Sequence, residues 1–168
     1  MAPGILAGRR VAFLATNGVD ESELAQPWAA ITAAGASAEL ISLQPGEIQS
    51  IAKGEKAGKF KVDRLVGDVS VRDYDALVLP GGLKNPDTLR MNSAAVEFVR
   101  SFMDADKALG AICHGPWLLL EADCVRGRTL TSSPSLQKDI RNAGGAWVDR
   151  TGLAAQKLVS RRNPGDIP

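Results

Sequence analysis

Short apolar runs alternate with amphipathic segments along most of the chain. The run at 11–15 predicts a buried strand, because it is continuous, short and rich in large apolar residues. Leu24, Trp28 and Ile31 then fall on one face of a helix that Asp20 opens and Gly35 ends. The same alternation predicts further strands at 38–43, 75–82, 108–112 and 129–132, and further helices at 93–103, 116–121 and 136–143.

Two stretches depart from this alternation. Residues 46–71 are polar and weakly periodic, which favours a hairpin or an excursion at one sheet edge. Near the end of the chain, Trp147 and Val148 are expected to begin a last hairpin to which Leu158 and Val159 return. Strands alternating with helices predict a mostly parallel sheet covered on both faces. With right-handed crossovers, the fold class is an α/β doubly wound three-layer sandwich.

Length and composition narrow the class of protein. A chain of 168 residues suits one compact domain, so we expect a single domain over 1–168. The net charge of +1 argues against nucleic acid as a partner, because phosphate binding needs a clustered positive field. No apolar run approaches the roughly 18 residues of a membrane span, so no membrane partner is expected.

The few soft ligands point away from metal and disulfide chemistry. The chain has two cysteines and one histidine, whereas a structural zinc site needs four ligands. Two cysteines do not make a disulfide framework, and a reduced, cytoplasmic setting fits them better. No phosphate-binding glycine motif occurs either. We therefore expect neither a metal ion nor a bound cofactor.

The strongest local signal is the segment 111–116, AICHGP, at a predicted strand-to-helix junction. Small residues, Ala111 and Gly115, stand two positions either side of Cys113, as in the nucleophile elbows of hydrolases. The helix that begins near Pro116 would add its positive end and favour thiolate over thiol. The alternative is a buried structural cysteine before a helix start. The elbow pattern favours a nucleophile.

Two further side chains are candidates beside that cysteine. His114 is the only histidine, so any Cys–His chemistry must use it, although it could also be a surface imidazole. Glu23 follows Asp20 by three residues and could belong to a capping box at the helix start. Alternatively, Glu23 is an active-site carboxylate at the carboxyl edge of the first strand, where open α/β sheets bind ligands.

Glycines and one aspartate complete the set of candidates. Gly81 and Gly82 follow a strand and could bring N–H groups to a developing oxyanion, or form an ordinary turn. With Gly115 of the elbow, they form the predicted oxyanion or substrate-binding set. Asp87 is either a helix cap or a loop carboxylate that acts in the site. Cys124, by contrast, is expected to be structural.

Several segments, in the same order, resemble the ThiJ/PfpI superfamily, especially its PfpI-like peptidase branch. The segments are 17–24, 75–82, 85–87, 111–116, 131–132, 142–144, 147–149 and 164–166. The resemblance covers a core of about 10–166. It implies a flavodoxin-like sandwich with a C-terminal β-hairpin, related to class I glutamine amidotransferase domains. Relatives usually continue into a C-terminal helix, whereas this sequence stops at Pro168, so that helix is expected to be absent or omitted.

The resemblance also implies roles for particular residues. Cys113 matches the nucleophile, His114 the adjacent imidazole, and Glu23 the carboxylate that hydrogen-bonds the cysteine. Asp87 falls near the place where peptidase members carry a glutamate that reaches the histidine across a subunit interface. Here the residue is shorter by one methylene. The resemblance further implies a homodimer or a higher homo-oligomer.

Three functions follow as hypotheses. The leading one is a cysteine hydrolase with a role in the stress response, in which Cys113 attacks a peptide or small amide and His114 moves the proton. The second is a cofactor-free glyoxalase or deglycase, in which the same thiol adds to methylglyoxal or a related small carbonyl substrate. The third is a non-enzymatic redox sensor, in which Glu23 stabilises an oxidised Cys113.

Overall fold

The computed structural model describes residues 4–167, and its elements follow the predicted alternation. The strands are β1 (Arg10–Leu14), β2 (Val19–Asp20), β3 (Ser37–Ser42), β4 (Glu47–Ala52), β5 (Glu55–Lys61), β6 (Arg64–Leu65), β7 (Ala76–Leu79), β8 (Ala108–Ile112), β9 (Thr129–Leu130), β10 (Ala146–Trp147), β11 (Gly152–Ala155) and β12 (Leu158–Arg161). The α-helices are α1 (Glu21–Ala33), α2 (Lys84–Arg90), α3 (Ser93–Asp104), α4 (Trp117–Glu121) and α5 (Gln137–Asn142).

Seven strands form the central sheet, in the order β11-β12-β8-β7-β1-β3-β6. All neighbours in it run parallel except the β11–β12 hairpin. From β1 the chain continues to β3 on one side, whereas from β7 it continues to β8 on the other. The sheet therefore reverses its winding between β1 and β7, and this confirms the flavodoxin-like α/β sandwich.

The period-two pattern of the central strands divides the core between the two sheet faces. Val11 and Phe13 pack on the α1 side, where the Phe13 and Trp28 rings lie 4.9 Å apart. Ala12 and Leu14 belong to the cluster on the opposite face, which includes α3 and α4. Because β1 is buried on both faces, it is a continuous apolar run rather than an alternating one.

Outside the central sheet, one prediction is confirmed and another is wrong. Residues 46–71 form the expected excursion, since β4 and β5 make a hairpin that pairs with β2. The prediction that Trp147 begins the last hairpin is wrong. Instead β10 pairs in parallel with β9, because the Trp147 indole donates to Ser132 Oγ at 3.0 Å, and the hairpin consists of β11 and β12.

Two further predictions concern a C-terminal helix and membrane spans. Pro168, on which the expectation about a C-terminal helix depends, lies outside the described residues. Within residues 4–167, the structure contains no helix with the length and apolar content to cross a membrane.

Candidate active site

The candidate site lies at the carboxyl edge of the central sheet, where its winding reverses. Glu23 lies in the first turn of α1, after β1, while Gly81 follows β7 and Cys113 follows β8. Because β1, β7 and β8 are parallel neighbours, their carboxyl ends meet at one place. The topology thus brings together three candidates that are far apart in sequence.

Cys113 occupies a strained turn. Its φ of 57° is in the left-handed region, which a residue with a β-carbon enters at a cost of about 1–3 kcal/mol. The Cys113 N–H donates to Arg161 O, and its carbonyl accepts from Ser133 N, both at 2.9 Å. These bonds to β12 and to the segment after β9 hold the thiol above the sheet.

The glycines around Cys113 are required for space. A β-carbon on Gly81 would lie 2.9 Å from the Cys113 β-carbon and 2.8 Å from Ile112 O. A β-carbon on Gly115 would lie 3.0 Å from Ile112 O and would clash with the carbonyl of Leu79. The small residues of the elbow pattern therefore let strand, turn and helix approach closely.

The structure places Glu23 beside Cys113, where both approach Gly81, and not in a capping box. Its carboxylate accepts from the Gly81 N–H at 2.6 Å. Asp20 does cap α1, accepting from Ser22 N at 3.0 Å and Glu23 N at 3.2 Å. However, the Asp20 N–H points to Gly81 O, so the reciprocal half of the capping box is missing.

Burial raises the pKa values of both Glu23 and Cys113. Burial and the nearby Asp20 carboxylate raise the pKa of Glu23 to about 7, although the Gly81 N–H opposes the shift. Burial and the Glu23 carboxylate raise the pKa of Cys113 to about 12. Desolvation of the sulfur thus opposes the thiolate that the sequence predicts, outweighs the end of the short helix α4, and favours the thiol in the resting site.

His114 lies on the other side of the sulfur atom. Its Nδ1 is 3.1 Å from Cys113 Sγ, and its Nε2 is 2.9 Å from Ser135 Oγ. The ring also packs on Trp117, with centroids 5.0 Å apart. Burial lowers the pKa of His114, which favours the neutral imidazole.

The predicted oxyanion donors are only partly available. The Gly81 N–H is taken by Glu23, and the Gly115 N–H donates to Ile112 O at 2.7 Å. Within residues 4–167, the Gly82 N–H makes no hydrogen bond, and the His114 N–H faces the Cys113 sulfur. Gly82 and His114 are thus the backbone groups that can receive negative charge on a bound oxygen.

Asp87 does not join the site within one protomer. It lies in the first turn of α2 with an exposed side chain, and the hydrogen bonds of His114 within the described residues go to Cys113 and Ser135. Cys124 lies elsewhere, half-buried, and its thiol donates to Ala122 O at 3.3 Å. It offers a natural control for Cys113.

Sequence reasoning missed two residues that shape the site. Asn85 is fully buried, and its amide accepts from Thr16 N at 2.8 Å and donates to Pro80 O and Gly81 O at 3.0 Å each. It joins the ends of β1 and β7. Ser135 belongs to a serine-rich turn after β9, and nothing in the local pattern relates that turn to His114.

A cavity of about 750 Å³ opens beside Gly82. Its lining is mostly apolar by area and includes three charged side chains, those of Asp20, Lys56 and Lys84. No cluster of three or more potential metal ligands occurs among the described positions 4–167. The site thus combines a thiol, a buried carboxyl, a neutral imidazole and the backbone N–H groups of Gly82 and His114 beside a roomy cleft.

Comparisons with known proteins identify the family of this chain. The sequence profile of the DJ-1/PfpI family matches residues 9–168. The chain is 35% identical to "Putative cysteine protease YraA" of Bacillus subtilis, over 95% of this chain and 92% of that one. It is 36% identical to "Protein/nucleic acid deglycase 2" of Escherichia coli, over the same shares. It is 37% identical to "General stress protein 18" of Bacillus subtilis, over 96% and 92%.

Solved structures give the same result. A two-domain protein of Anabaena variabilis with DJ-1/ThiJ/PfpI-like and ferritin-like domains superposes with a TM-score of 0.89 at 29% identity, over 95% of this chain and 45% of that one. DJ-1beta of Drosophila melanogaster shares the fold, with a TM-score of 0.86 at 23% identity over 95% and 84%. The profile and the curated relatives each span nearly the whole chain, and this protein belongs to the DJ-1/PfpI family.

Proposed function

We propose that this protein is a cofactor-independent enzyme that adds Cys113 to small α-oxoaldehydes such as methylglyoxal, or to their adducts, with Glu23 as the general base. The observation that carries the proposal is a buried carboxyl, Glu23, that lies beside Cys113 where both approach Gly81 and whose pKa is raised to about 7. A base with a pKa near the working pH suits proton transfer, because both of its protonation states are accessible.

The first step needs only the residues already in contact. The thiol proton passes to Glu23 as Sγ bonds to the aldehyde carbon, and Glu23 then delivers that proton to the carbonyl oxygen, which completes a hemithioacetal and leaves Glu23 ionised. The Gly82 and His114 N–H groups would stabilise the charge on that oxygen. No leaving group departs, so the resting thiol does not have to ionise in advance.

The later steps reuse Glu23. It removes the hydrogen of the former aldehyde carbon as a proton, which gives an enediol, and a proton returned to the neighbouring carbon yields the lactate thioester of Cys113. Water then hydrolyses the thioester, releases lactate and restores the thiol. The oxidation of one carbon balances the reduction of the other, so no external redox partner is required.

The relatives and the cleft support this choice of substrate. One relative is named a protein/nucleic acid deglycase, and others from Pyrococcus and Thermococcus are named deglycases. The cavity of about 750 Å³ beside Gly82 is larger than a three-carbon aldehyde requires. It leaves room for adducts that carry a side chain or a base. The relative named a general stress protein supports a role in the stress response.

Peptide or amide hydrolysis is the second candidate. The 3.1 Å contact between Cys113 Sγ and His114 Nδ1 favours it, as does the relative named a cysteine protease. Hydrolysis of an amide needs an acid that protonates the departing amine. Within the protomer, His114 lacks the carboxylate that would assist that task, so aldehyde addition is the better fit.

The two candidates are separated by one panel of assays. Wild type, Cys113→Ala and Cys124→Ala are compared for lactate formation from methylglyoxal without glutathione, and for cleavage of a chromogenic peptide amide. We expect lactate formation to fall to background in Cys113→Ala and to be unchanged in Cys124→Ala. Peptide cleavage that depends on Cys113, without lactate formation, would establish the hydrolase instead.

We further infer that the protein functions as a homo-oligomer. Two large apolar side chains, Leu83 and Met91, flank α2 and are 64% and 83% exposed. A second copy packed there would bury both and would bring another Asp87 near the site region. Sedimentation of wild type and Met91→Lys tests this inference, which predicts that the variant dissociates at a higher concentration than wild type.

A further inference from the structure

The outer nitrogen of the His114 ring contacts a hydroxyl group and not a carboxylate. Ser135 lies in the 3₁₀ turn Pro134–Leu136, and its Oγ is 2.9 Å from His114 Nε2. The Ser133 hydroxyl follows at 3.2 Å from Ser135 Oγ. Two serines therefore continue the line of hydrogen bonds that begins at Cys113.

The direction of these hydrogen bonds follows from the buried end. The Glu23 carboxylate beside Cys113 can only accept, which favours an S–H directed towards it and leaves the sulfur as the acceptor for His114. Nδ1, at 3.1 Å from that sulfur, must then carry the ring's hydrogen. A neutral imidazole has one N–H, so Nε2 accepts, and its donor is the Ser135 hydroxyl.

We propose that Ser135 is a positioning residue that holds His114 in the Nδ1–H tautomer, with the imidazole donating to the Cys113 sulfur. Ser133 supports it, since its own hydroxyl can donate to Ser135 Oγ and leave the Ser135 hydrogen directed at the ring. The Trp117 ring lies against the imidazole at an interplanar angle of 59° and limits the space in which the imidazole can rotate.

A hydroxyl partner and a carboxylate partner at Nε2 would give His114 different roles. A carboxylate only accepts, so it would require Nε2–H and would leave Nδ1 as a base for the thiol. A hydroxyl can also donate, so it permits Nδ1–H with Nε2 as the acceptor. Ser135 thus makes His114 a stabiliser of negative charge on sulfur and leaves removal of the thiol proton to Glu23. This catalytic meaning rests on the proposed function, whereas the tautomer itself does not.

The burial of His114 agrees with the assignment. Because burial lowers the pKa of the ring, the imidazole is neutral at pH 7.5 and a tautomer is defined there. Within residues 4–167, the hydrogen bonds of the ring go to Cys113 and Ser135, and its aromatic neighbour is Trp117, on whose ring the Arg90 guanidinium lies at 5.2 Å.

The test exploits the single histidine of this sequence. Untagged protein labelled with ¹⁵N-histidine gives one imidazole spin system, whose nitrogen shifts and two-bond couplings report the tautomer directly. At pH 7.5 we expect Nδ1–H in wild type, a shift towards Nε2–H in Ser135→Ala, and retention of Nδ1–H in Ser135→Thr. Ser133→Ala is the matched control and should cause a smaller shift.

Other outcomes overturn the proposal. A wild-type ring in the Nε2–H form, a doubly protonated wild-type ring, or an unchanged tautomer in Ser135→Ala would each show that Ser135 does not set the hydrogen. If wild type has Nε2–H and Asp87→Asn converts it to Nδ1–H, a carboxylate from a second copy is the true partner.

Alkylation of Cys113 by iodoacetamide gives a second readout that needs no substrate. Loss of one solvent-exposed hydrogen bond should slow the second-order rate of Ser135→Ala at pH 7.5 by about threefold to tenfold. Ser135→Thr should restore the rate, and an unchanged rate would contradict the proposal. Neither readout depends on methylglyoxal, so failure of the aldehyde chemistry and failure of the tautomer assignment can be told apart.

Discussion

The two sides of the Cys113 sulfur are built in different ways. On the buried side, Glu23 is 1% exposed, and its carboxylate is fixed by a backbone N–H of Gly81. On the open side, His114 is only half-buried and is fixed by the side-chain hydroxyl of Ser135, which is itself exposed. The position of Glu23 is thus fixed by the backbone, whereas the position of His114 is fixed by a side chain that a substitution can remove.

This difference separates the two tasks of the site. Burial creates the carboxyl of near-neutral pKa, because no water competes for Glu23 and the sheet ends cannot move apart. The open side needs only a donor towards sulfur, which a small hydroxyl can orient. Changes on the buried side should therefore affect both stability and activity, whereas changes on the open side should adjust activity alone.

The largest effect is expected from filling the space between the buried groups. In Gly81→Ala, the new β-carbon would meet Cys113 and Ile112 and would push Glu23 away. We expect kcat/KM for lactate formation to fall by about 100-fold or more, since small displacements of reacting groups are costly. Gly67→Ala is the control, because its β-carbon would meet nothing within 4 Å and should leave the rate unchanged. Equal rates in the two variants would mean that the close packing is dispensable.

The next effect is on stability and follows from the raised pKa of Glu23. Its folded-state pKa of about 7 exceeds the ordinary value of 4.5, so the folded protein retains a proton that the unfolded chain loses. The contribution is fully present below about pH 4.5 and is lost as pH rises through 7. Relative to Glu23→Gln, the free energy of unfolding should fall by roughly 3 kcal/mol across this window. Urea titrations at pH 5 and pH 8 measure it, and parallel pH dependences in both proteins would refute the buried-acid assignment.

A comparable loss should follow from removing the buried amide that joins β1 to β7. Asn85→Ala removes the side-chain partners of the Thr16 N–H and Pro80 O and one of the two donors to Gly81 O, which should lower the free energy of unfolding by about 2–4 kcal/mol. Asn142→Ala is the control, since Asn142 is the exposed last residue of α5. Thermal unfolding of both variants gives the difference, and a similar midpoint for both would show that Asn85 is not a structural clamp.

The smallest effect is expected at Asp87. Its side chain is exposed on α2 and makes no contact with His114 within the protomer. We expect Asp87→Asn to change the alkylation rate of Cys113 by less than about twofold, in line with an exposed surface charge. A larger change that appears only at high protein concentration would instead place the Asp87 of a second copy at the imidazole.

The sequence was sufficient for the features that depend on local pattern. Continuous apolar runs at 11–15 and 108–112 predicted doubly buried strands, and the small residues around Cys113 predicted the elbow. Glu23 remained ambiguous because a capping box and an active-site carboxylate require the same spacing. Only the Gly81 N–H, supplied by a strand distant in sequence, resolves it.

The remaining features depend on contacts that the local pattern does not encode. The protonation state of Cys113 reflects burial, which outweighs the helix end that the sequence emphasised. Which glycine N–H groups are free depends on neighbours such as Ile112 O, and Ser135 reaches His114 only because Ser133 N is bonded to the Cys113 carbonyl. Tertiary hydrogen bonds, rather than residue types, decide these roles.

The pH dependence of kcat/KM for lactate formation tests the role of Glu23 most directly. In wild type we predict a rise with pH to a plateau above about 7, because the reacting form has ionised Glu23 beside the Cys113 thiol. In Glu23→Gln, kcat/KM should be lower by about 100-fold or more, and the rise of kcat/KM near pH 7 should disappear. A Glu23→Gln enzyme that retains this step would show that another group, His114 foremost, removes the proton.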